Sequence, residues 1–335
     1  MWQNCDPSAV QSPPWEDRLD HGCTDRFRPR ATATGQYALV DQSRARVQPG
    51  RAEPTERNSI MATVRLVLAN DPIDAEAIDV WVDGLVGDAP VRFRLDTGAA
   101  HCIVPLLDST QNLTVTGVDS GVGLSGTGLG DDEVVVPRLC LGELVIEDVA
   151  ATRSVAGSPL SPLLGMTALG RFRCEFRFSD LQLELDGRTS PDTGDWFELT
   201  SHVDTQPMVP VDFETVVALA CWDTGAGLSA VDVDFAQSHP QLFEPVRATR
   251  GVDASGVEMP SQLCRMASFR VGGIAIESSA CAIVDMGPLN AALEQPISFV
   301  LGMPAIVQAD WTFDFPQRRW SARRPRTNCP RPATS

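Results

Sequence analysis

The sequence predicts an all-β protein with two similar halves. Short apolar segments alternate with turns rich in Gly, Asp and Pro, while helical periodicity is brief. The same ordered set of motifs also occurs twice between about residues 61 and 320. A chain of 335 residues has room for two packed units, or for one bilobed unit, with disordered ends.

The composition excludes several classes of function. The formal net charge is -17, which disfavours nucleic acid and anionic membranes as partners. All 27 basic residues are Arg, so chemistry that needs a Lys, such as a Schiff base or a phosphate-loop Lys, is excluded. The four His residues lack metal-ligand spacing. We therefore expect no metal and no cofactor.

The sequence also predicts a cytoplasmic protein. No stretch approaches the roughly 20 apolar residues of a membrane span. Residues 1–20 contain no apolar signal-peptide core. The nine Cys residues are widely spread, which favours mostly free thiols over a disulfide framework.

Residues 1–60 are rich in Pro, Arg, Gln and Ser and show no structural period, which predicts disorder. Alternation begins abruptly at Met61, followed by Val64, Leu66 and Leu68. Translation that starts at Met61 and an N-terminal pro-segment are two further interpretations, and the sequence does not decide between them.

The rest of the chain predicts two lobes, at 61–187 and 208–320, joined by a linker at 188–207. A Pro- and Arg-rich stretch at 321–335 is expected to be a disordered tail. Brief helices are expected at 166–171 and 288–294. Strands in the first lobe are expected at 77–82, 91–95, 133–137, 144–149, 173–178 and 181–185.

The internal repeat has three elements in the same order. An apolar strand leads into Asp-Thr-Gly-Ala, a strand follows around a Gly turn, and two apolar residues then precede Gly-Met. These elements occupy 93–99, 141–147 and 163–166 in the first half and 219–226, 271–277 and 300–303 in the second. The spacings differ by about ten residues, as surface-loop insertions allow.

A third Asp-Thr-Gly, at Asp192, Thr193 and Gly194, serves as an internal control. No apolar strand precedes it and no small residue follows it, so it is expected to be a turn in the linker. Asp96 and Asp223 differ from Asp192 because each one ends an apolar strand and opens a Gly turn followed by Ala.

The doubled motif resembles the retropepsin-like and pepsin-like aspartic peptidases over about residues 61–320. The resemblance implies a bilobed acid-protease fold of two retropepsin-like β-barrel lobes with a cleft between them, similar to a retropepsin dimer fused into one chain. It also implies catalysis by Asp96 and Asp223.

The chemistry implied is that of an aspartic endopeptidase acting on polypeptides. Two close carboxyls share one proton. The ionised carboxyl takes a proton from water, and the protonated one donates to the peptide carbonyl oxygen. By the same resemblance, Thr97 and Thr224 should bond to the opposite loop. The residues expected to support the dyad are Thr97, Gly98, Ala99, Gly165, Thr224, Gly225, Ala226 and Gly302.

A Gly-rich run at 121–130 lies where this family has its flap, and a plain flexible loop is the alternative. Its flap candidates are Ser125, Gly126, Thr127 and Gly128. Residues 251–256 occupy the corresponding place in the second half. Tyr37 is the only Tyr in the chain, so the flap Tyr of pepsin-like enzymes is missing and the retropepsin comparison fits better.

Other hypotheses remain open at this point. Trp222 precedes Asp223 and could obstruct a tight dyad, which would leave an inactive peptide-binding or scaffold protein. His101 is expected to face solvent or a strand neighbour. Because one chain supplies both motifs, we expect a monomer, although the motifs could instead belong to units that pair between chains.

Overall fold

The computed structural model describes residues 62–71, 74–119, 121–128, 130–154, 160–185, 195–202, 206–253, 255–293 and 295–325. By their contacts, Asn58–Ser335 group as one unit. Three expectations lie outside the described residues: the disorder of 1–60, the start at Met61 and the turn at 192–194. Within the described residues, no helix is long and apolar enough to cross a membrane.

The described residues contain 24 strands, β1–β24, four short α-helices, α1–α4, and one 3-10 helix at Pro240–Leu242. In chain order the strands are Ala62–Arg65, Val67–Asn70, Ile78–Val86, Ala89–Leu95, Cys102–Val104, Val115–Val118, Asp132–Leu141, Leu144–Arg153, Leu163–Leu164, Arg173–Arg177, Gln182–Leu185, Phe197–Glu198, Thr200–His202, Gln206–Asp212, Val217–Trp222, Ser229–Asp232, Phe243–Val252, Glu258–Met266, Phe269–Val271, Ile274–Ile276, Ser279–Val284, Phe299–Leu301, Asp310–Asp314 and Arg319–Arg323. The helices are Met166–Leu169, Val233–Ser238, Gly287–Asn290 and Met303–Ile306.

The prediction of an all-β fold is confirmed. Each of the six strand segments expected in the first lobe contains a strand, and both expected helices are present as single turns. The largest differences are in β3, β7 and β8, which extend beyond the expected ends to Val86, Leu141 and Arg153. Strands β7 and β8 pair along nearly their whole length, and this pairing supports residues whose own pattern is not strand-like.

Each lobe is built on a sheet of the same connectivity. The first sheet has the order β2-β3-β4-β9-β5-β8-β7-β6, and the second contains β13-β14-β15-β22-β16-β21-β18-β17 with β19 and β20 added beside β14. Position by position, these orders correspond. The sequence repeat is therefore also a repeat of strand pairing, and the strands before Asp96 and Asp223 are equivalent.

A third sheet, the base sheet, takes strands from both halves of the chain in the order β1-β11-β10-β23-β24-β12. At its centre β10 pairs with β23, so that Phe176 lies opposite Trp311. The lobes are thus joined by backbone hydrogen bonds and not only by the stretch between them. The boundaries expected at 187 and 208 divide a sheet that belongs to both lobes.

The structure corrects the expected linker and tail as well. Within the expected linker, β12 pairs with β24 and β13 pairs with β14. The expected tail begins inside β24, where Trp320 is fully buried against the base sheet. Strands of two or three residues, such as β12 and β13, are too short to show an alternating pattern in the sequence. The sequence does not predict strand β24, because Trp320 is its one fully buried residue and lies among Arg residues.

The core continues from one lobe to the other through an aromatic cluster above the base sheet. Its members are Phe176, Trp222, Trp311, Phe313 and Trp320, all at most 1% exposed. Each large side chain buried in this way stabilises the fold by about 1.5–3 kcal/mol. The cluster thus fixes the lobes against each other directly beneath the strands that carry the repeated motifs.

Candidate active site

Strand β4 places Asp96 at the point where the first lobe meets the second. The last residue of β4, Leu95, pairs in parallel with Leu164 of β9. The Asp96 amide donates to the Leu164 carbonyl oxygen at 3.1 Å, and the Met166 amide donates to the Ala99 carbonyl oxygen at 2.9 Å. The Asp-Thr-Gly-Ala turn is therefore held at both ends by the Leu-Gly-Met segment.

Strand β15 places Asp223 in the same way. Trp222 pairs in parallel with Leu301 of β22. The Asp223 amide donates to the Leu301 carbonyl oxygen at 3.0 Å, and the Met303 amide donates to the Ala226 carbonyl oxygen at 2.9 Å. The two turns are thus held at their ends by equivalent backbone hydrogen bonds.

Thr97 and Thr224 join the two turns through four hydrogen bonds. Each backbone amide donates to the other residue's Oγ1 at 3.1 Å. In turn, Thr97 Oγ1 donates to the Trp222 carbonyl oxygen at 2.8 Å, and Thr224 Oγ1 donates to the Leu95 carbonyl oxygen at 3.0 Å. Both Thr residues are fully buried. We call this arrangement the threonine network.

The threonine network brings each of the Asp96 and Asp223 carboxyls against the glycine of the opposite turn, close enough for the two groups to interact. The amides of Gly98 and Gly225 donate to Asp223 Oδ1 at 3.2 and 2.7 Å. The Ala99 amide donates to Asp96 Oδ1 at 2.8 Å. Backbone amides therefore orient both carboxyls.

Glycine is required after both Thr residues because each turn touches the opposite carboxyl. A Cβ on Gly98 would lie 2.5 Å from Cγ of Asp223, and a Cβ on Gly225 would lie 2.2 Å from Cγ of Asp96. Gly165 and Gly302 are equally crowded, since a Cβ there would lie 2.3 Å from the His101 carbonyl oxygen and 2.4 Å from the Leu228 carbonyl carbon. The four glycines let the turns and the segments beneath them approach closely.

Both carboxyls have raised pKa values. Burial raises the pKa of Asp96, against a smaller opposing effect of the Arg94 charge. Burial and the neighbouring charge of Asp96 raise the pKa of Asp223 to about 7. Two close carboxyls titrate as a pair, and the raised pKa values favour retention of a proton by the pair.

Trp222 does not obstruct the pair, contrary to the concern that the sequence raised. Its indole points into the aromatic cluster, with ring centroids 4.6 Å from Phe313, 4.9 Å from Phe176 and 5.6 Å from Trp311. Side chains alternate along a strand, so Trp222 enters the core while Asp223 faces the cleft.

The flap candidates lie in one turn of the first lobe that reaches the second lobe. A bridge between Val122 and Gly128 closes the turn. Leu124 packs against an apolar cluster of the second lobe to which Ala226 and Met286 belong. We call residues 121–128 flap 1, and we call the described residues between β17 and β18, Asp253 and 255–257, flap 2.

One group of described residues has metal-ligand atoms close together. Donor atoms of His101, Asp119 and Glu133 lie within 4.8 Å of one another. Both Asp119 oxygens already accept hydrogen bonds, from the Gly121 amide and from Thr152 Oγ1. Since Asp119 is engaged in this way, the group is better explained as the polar base of flap 1, and it places His101 beside two carboxylates.

All six Cys residues that the structure describes are free and buried. Two of them border the motifs. Cys102 Sγ accepts a hydrogen bond from the Gly165 amide at 3.3 Å, and Cys221 lies in the apolar cluster beside Ala226. Both act as small apolar side chains in the core.

Comparisons with known proteins agree with this geometry. The aspartic proteinase from Irpex lacteus superposes with a TM-score of 0.51 over 79% of this chain and 98% of its own, at 14% identity. The chain has the aspartic-proteinase fold. The family model for aspartyl proteases matches residues 209–305, which include Asp223 and its turn. None of the curated proteins matches the chain.

These findings confirm the resemblance to retropepsin-like and pepsin-like aspartic peptidases and support a peptidase role. The family match covers the second lobe only. The superposition gives the first lobe the same fold, and the repeat of motif and strand order relates the first lobe to the second.

Two residues of the site are not indicated by the sequence motifs. Arg94 lies two residues before Asp96 and donates to Asp79 Oδ1 at 2.6 Å, and its charge acts on both carboxyls of the pair. Asp253 contacts flap 1 from flap 2. Neither has a motif of its own, because each acquires its contacts only through folding. The available signals are the strand position of Arg94 beside Asp96 and the place of Asp253 within residues 251–256.

Proposed function

We propose that this protein is an aspartic endopeptidase in which Asp96 and Asp223 activate water for attack on a peptide bond. One observation carries the proposal: on equivalent turns at the junction of two lobes, each aspartate carboxyl lies against the glycine of the opposite Asp-Thr-Gly turn. The raised pKa values of the pair add support, because a shared proton is what this chemistry requires.

In the proposed reaction the proton resides mainly on Asp223, whose pKa is raised to about 7. Ionised Asp96 accepts a proton from the attacking water, and protonated Asp223 donates to the carbonyl oxygen of the peptide. The amides of Ala99, Gly98 and Gly225 keep the two carboxyls oriented while the charge moves between them.

The test is hydrolysis of an unstructured protein across pH by the parent and by Asp96→Asn and Asp223→Asn, with a pepstatin-type inhibitor as a further arm. Each substitution is expected to lower the rate by about 10⁴-fold, because each removes one partner of the acid-base pair. Asp192→Asn is the matched control and should hydrolyse at the parental rate.

Retained hydrolysis in either dyad variant would refute the proposal. Peptide binding without hydrolysis by the parent at any pH would instead show a peptide-binding or scaffold protein of this fold.

A further inference from the structure

The two flaps contact each other through one carboxylate. The backbone amide of Ser125, in flap 1, donates to Asp253 Oδ2 of flap 2 at 2.9 Å. The hydroxyls of Ser125 and Ser255 lie 3.4 Å apart beside this bond. These contacts join the first lobe to the second in addition to the base sheet and the threonine network.

Asp253 is held in place by its own turn. Its Oδ1 accepts hydrogen bonds from the Ser255 amide at 2.9 Å, from Ser255 Oγ at 2.6 Å and from the Val257 amide at 3.1 Å. One carboxylate oxygen is therefore used within flap 2, and the other is presented to flap 1. The second oxygen is oriented before flap 1 arrives, so the contact requires little reordering.

The composition of flap 1 fits this contact. A Cβ on Gly123 would lie 2.3 Å from Asp253 Oδ2, and a Cβ on Gly126 would lie 2.8 Å from the Pro288 carbonyl oxygen. Gly126 also has a φ of +75°, which favours glycine. These two glycines are required for close approach to the second lobe, in addition to any mobility that they give the turn.

We propose that Asp253 is a positioning residue whose carboxylate latches flap 1 to flap 2 and so keeps the cleft above Asp96 and Asp223 closed. The latch joins flap to flap and makes no hydrogen bond to the dyad. In this proposal the latch has to open for a polypeptide to enter or leave.

The hydrogen bonds around the latch favour an ionised Asp253. Burial opposes ionisation, but hydrogen bonds from Ser125 and Ser255 outweigh burial and hold the pKa of Asp253 below its ordinary value. The described residues of flap 1 carry no titratable side chain. On the second lobe, Arg250 and Glu258 pair with each other at 3.2 Å, and Asp285 accepts the Gly287 amide at 2.8 Å.

The decisive variant is Asp253→Asn. Asparagine has one carbonyl oxygen, so if that oxygen keeps the bonds within flap 2, its NH₂ group faces the Ser125 amide and two donors oppose each other. Asp212→Asn is the matched control. Asp212 likewise accepts a local amide, that of Glu214 at 2.8 Å, and loses the same charge, but the carboxylate makes no contact with a flap.

The assay is amide hydrogen exchange of the full chain, read on peptides that cover 121–128. Asp253→Asn is expected to speed exchange of these amides by about tenfold or more, the effect of losing one hydrogen bond to a charged acceptor. Peptides of β7 and β8 should be unchanged, and Asp212→Asn should match the parent. Unchanged exchange in folded Asp253→Asn overturns the latch. If that variant does not fold, Asp253→Glu, which displaces the charge by one methylene, is held to the same criterion.

A kinetic arm rests on the proposed function. With a peptide substrate, Asp253→Asn should raise KM by about tenfold with kcat within about twofold of the parent, because the latch holds bound substrate and takes no part in proton transfer. If Asp253→Asn exchanges faster than the parent while the parent has no peptidase activity, the result would support the latch and refute the peptidase. Hydrolysis by the parent with parental KM and exchange in Asp253→Asn would support the peptidase and refute the latch.

Discussion

The threonine network makes a prediction about stability that is independent of activity. Thr97→Val keeps the shape of the side chain but removes the hydroxyl that accepts from the Thr224 amide and donates to the Trp222 carbonyl oxygen. The Thr224 amide would then be buried without its acceptor, at a cost of about 1–3 kcal/mol, and the lost bond to Trp222 adds about 1 kcal/mol. We therefore expect Thr97→Val to lower the free energy of unfolding by about 2–4 kcal/mol.

Thr97→Ser is the matched control. It keeps both hydrogen bonds and loses one buried methyl group, which costs about 1 kcal/mol. The apolar substitution should therefore be the more destabilising of the two, although it retains more carbon. This order would be reversed if packing, and not hydrogen bonding, held the turns together.

The assay is urea unfolding with the midpoint and the m value both measured, so that a change in stability is separated from a change in the denatured state. The double variant Thr97→Val with Thr224→Val should deviate from the sum of the single variants by about 0.5–3 kcal/mol, because both hydroxyls belong to one network. A loss below about 1 kcal/mol for Thr97→Val, or strict additivity, would refute the reasoning.

Four further outcomes are expected. Gly225→Ala should destabilise the fold by at least about 2 kcal/mol in thermal unfolding, since its Cβ would meet the Asp96 carboxyl. Gly251→Ala is the control and should be neutral within about 0.5 kcal/mol, because a Cβ there has no neighbour within 4 Å. Equal melting temperatures of the two variants would contradict the crowding at Gly225. Arg94→Leu should move the profile of kcat/KM against pH upward, because the Arg94 charge lowers the pKa of both carboxyls, and an unmoved or downward-shifted profile would contradict this. The parent profile should fall on its alkaline side near pH 7, as Asp223 loses its proton. The protein should hydrolyse as a monomer, since one chain supplies both carboxyls, and activity per chain that falls on dilution together with a dimer-to-monomer transition in sedimentation would contradict it.

The sequence predicts much of the fold because the repeated motifs contain glycines at positions where the backbone leaves no room for a side chain. Gly98, Gly225, Gly165 and Gly302 each lie where a Cβ would collide with the opposite carboxyl or with the backbone beneath. A glycine required in this way can be recognised in a single sequence, because it recurs at the same place in both halves. The alternation of buried residues in β4 and β15 does the same for the strands that lead into the motifs.

The remainder depends on contacts between distant parts of the chain. In β12 and β13 the strand state comes from pairing with β24 and β14 and leaves no pattern of its own. The orientation of Trp222 is set by Phe176, Trp311 and Phe313, which lie far from it in sequence. For the same reason the Ser125–Asp253 contact, 128 residues apart, has no local signature.

The base sheet also bears on when the molecule can become functional during its synthesis. Strand β10 pairs with β23, so residues 173–177 must wait for residues 310–314 to leave the ribosome. Pairing across so long a separation forms late and slowly, because the ends of a long loop have to meet first. A nascent chain that ends after the first lobe would expose the edge of β10 and would contain Asp96 without its partner Asp223. Chain completion is therefore the step at which the base sheet, the threonine network and the aspartate pair can first exist together.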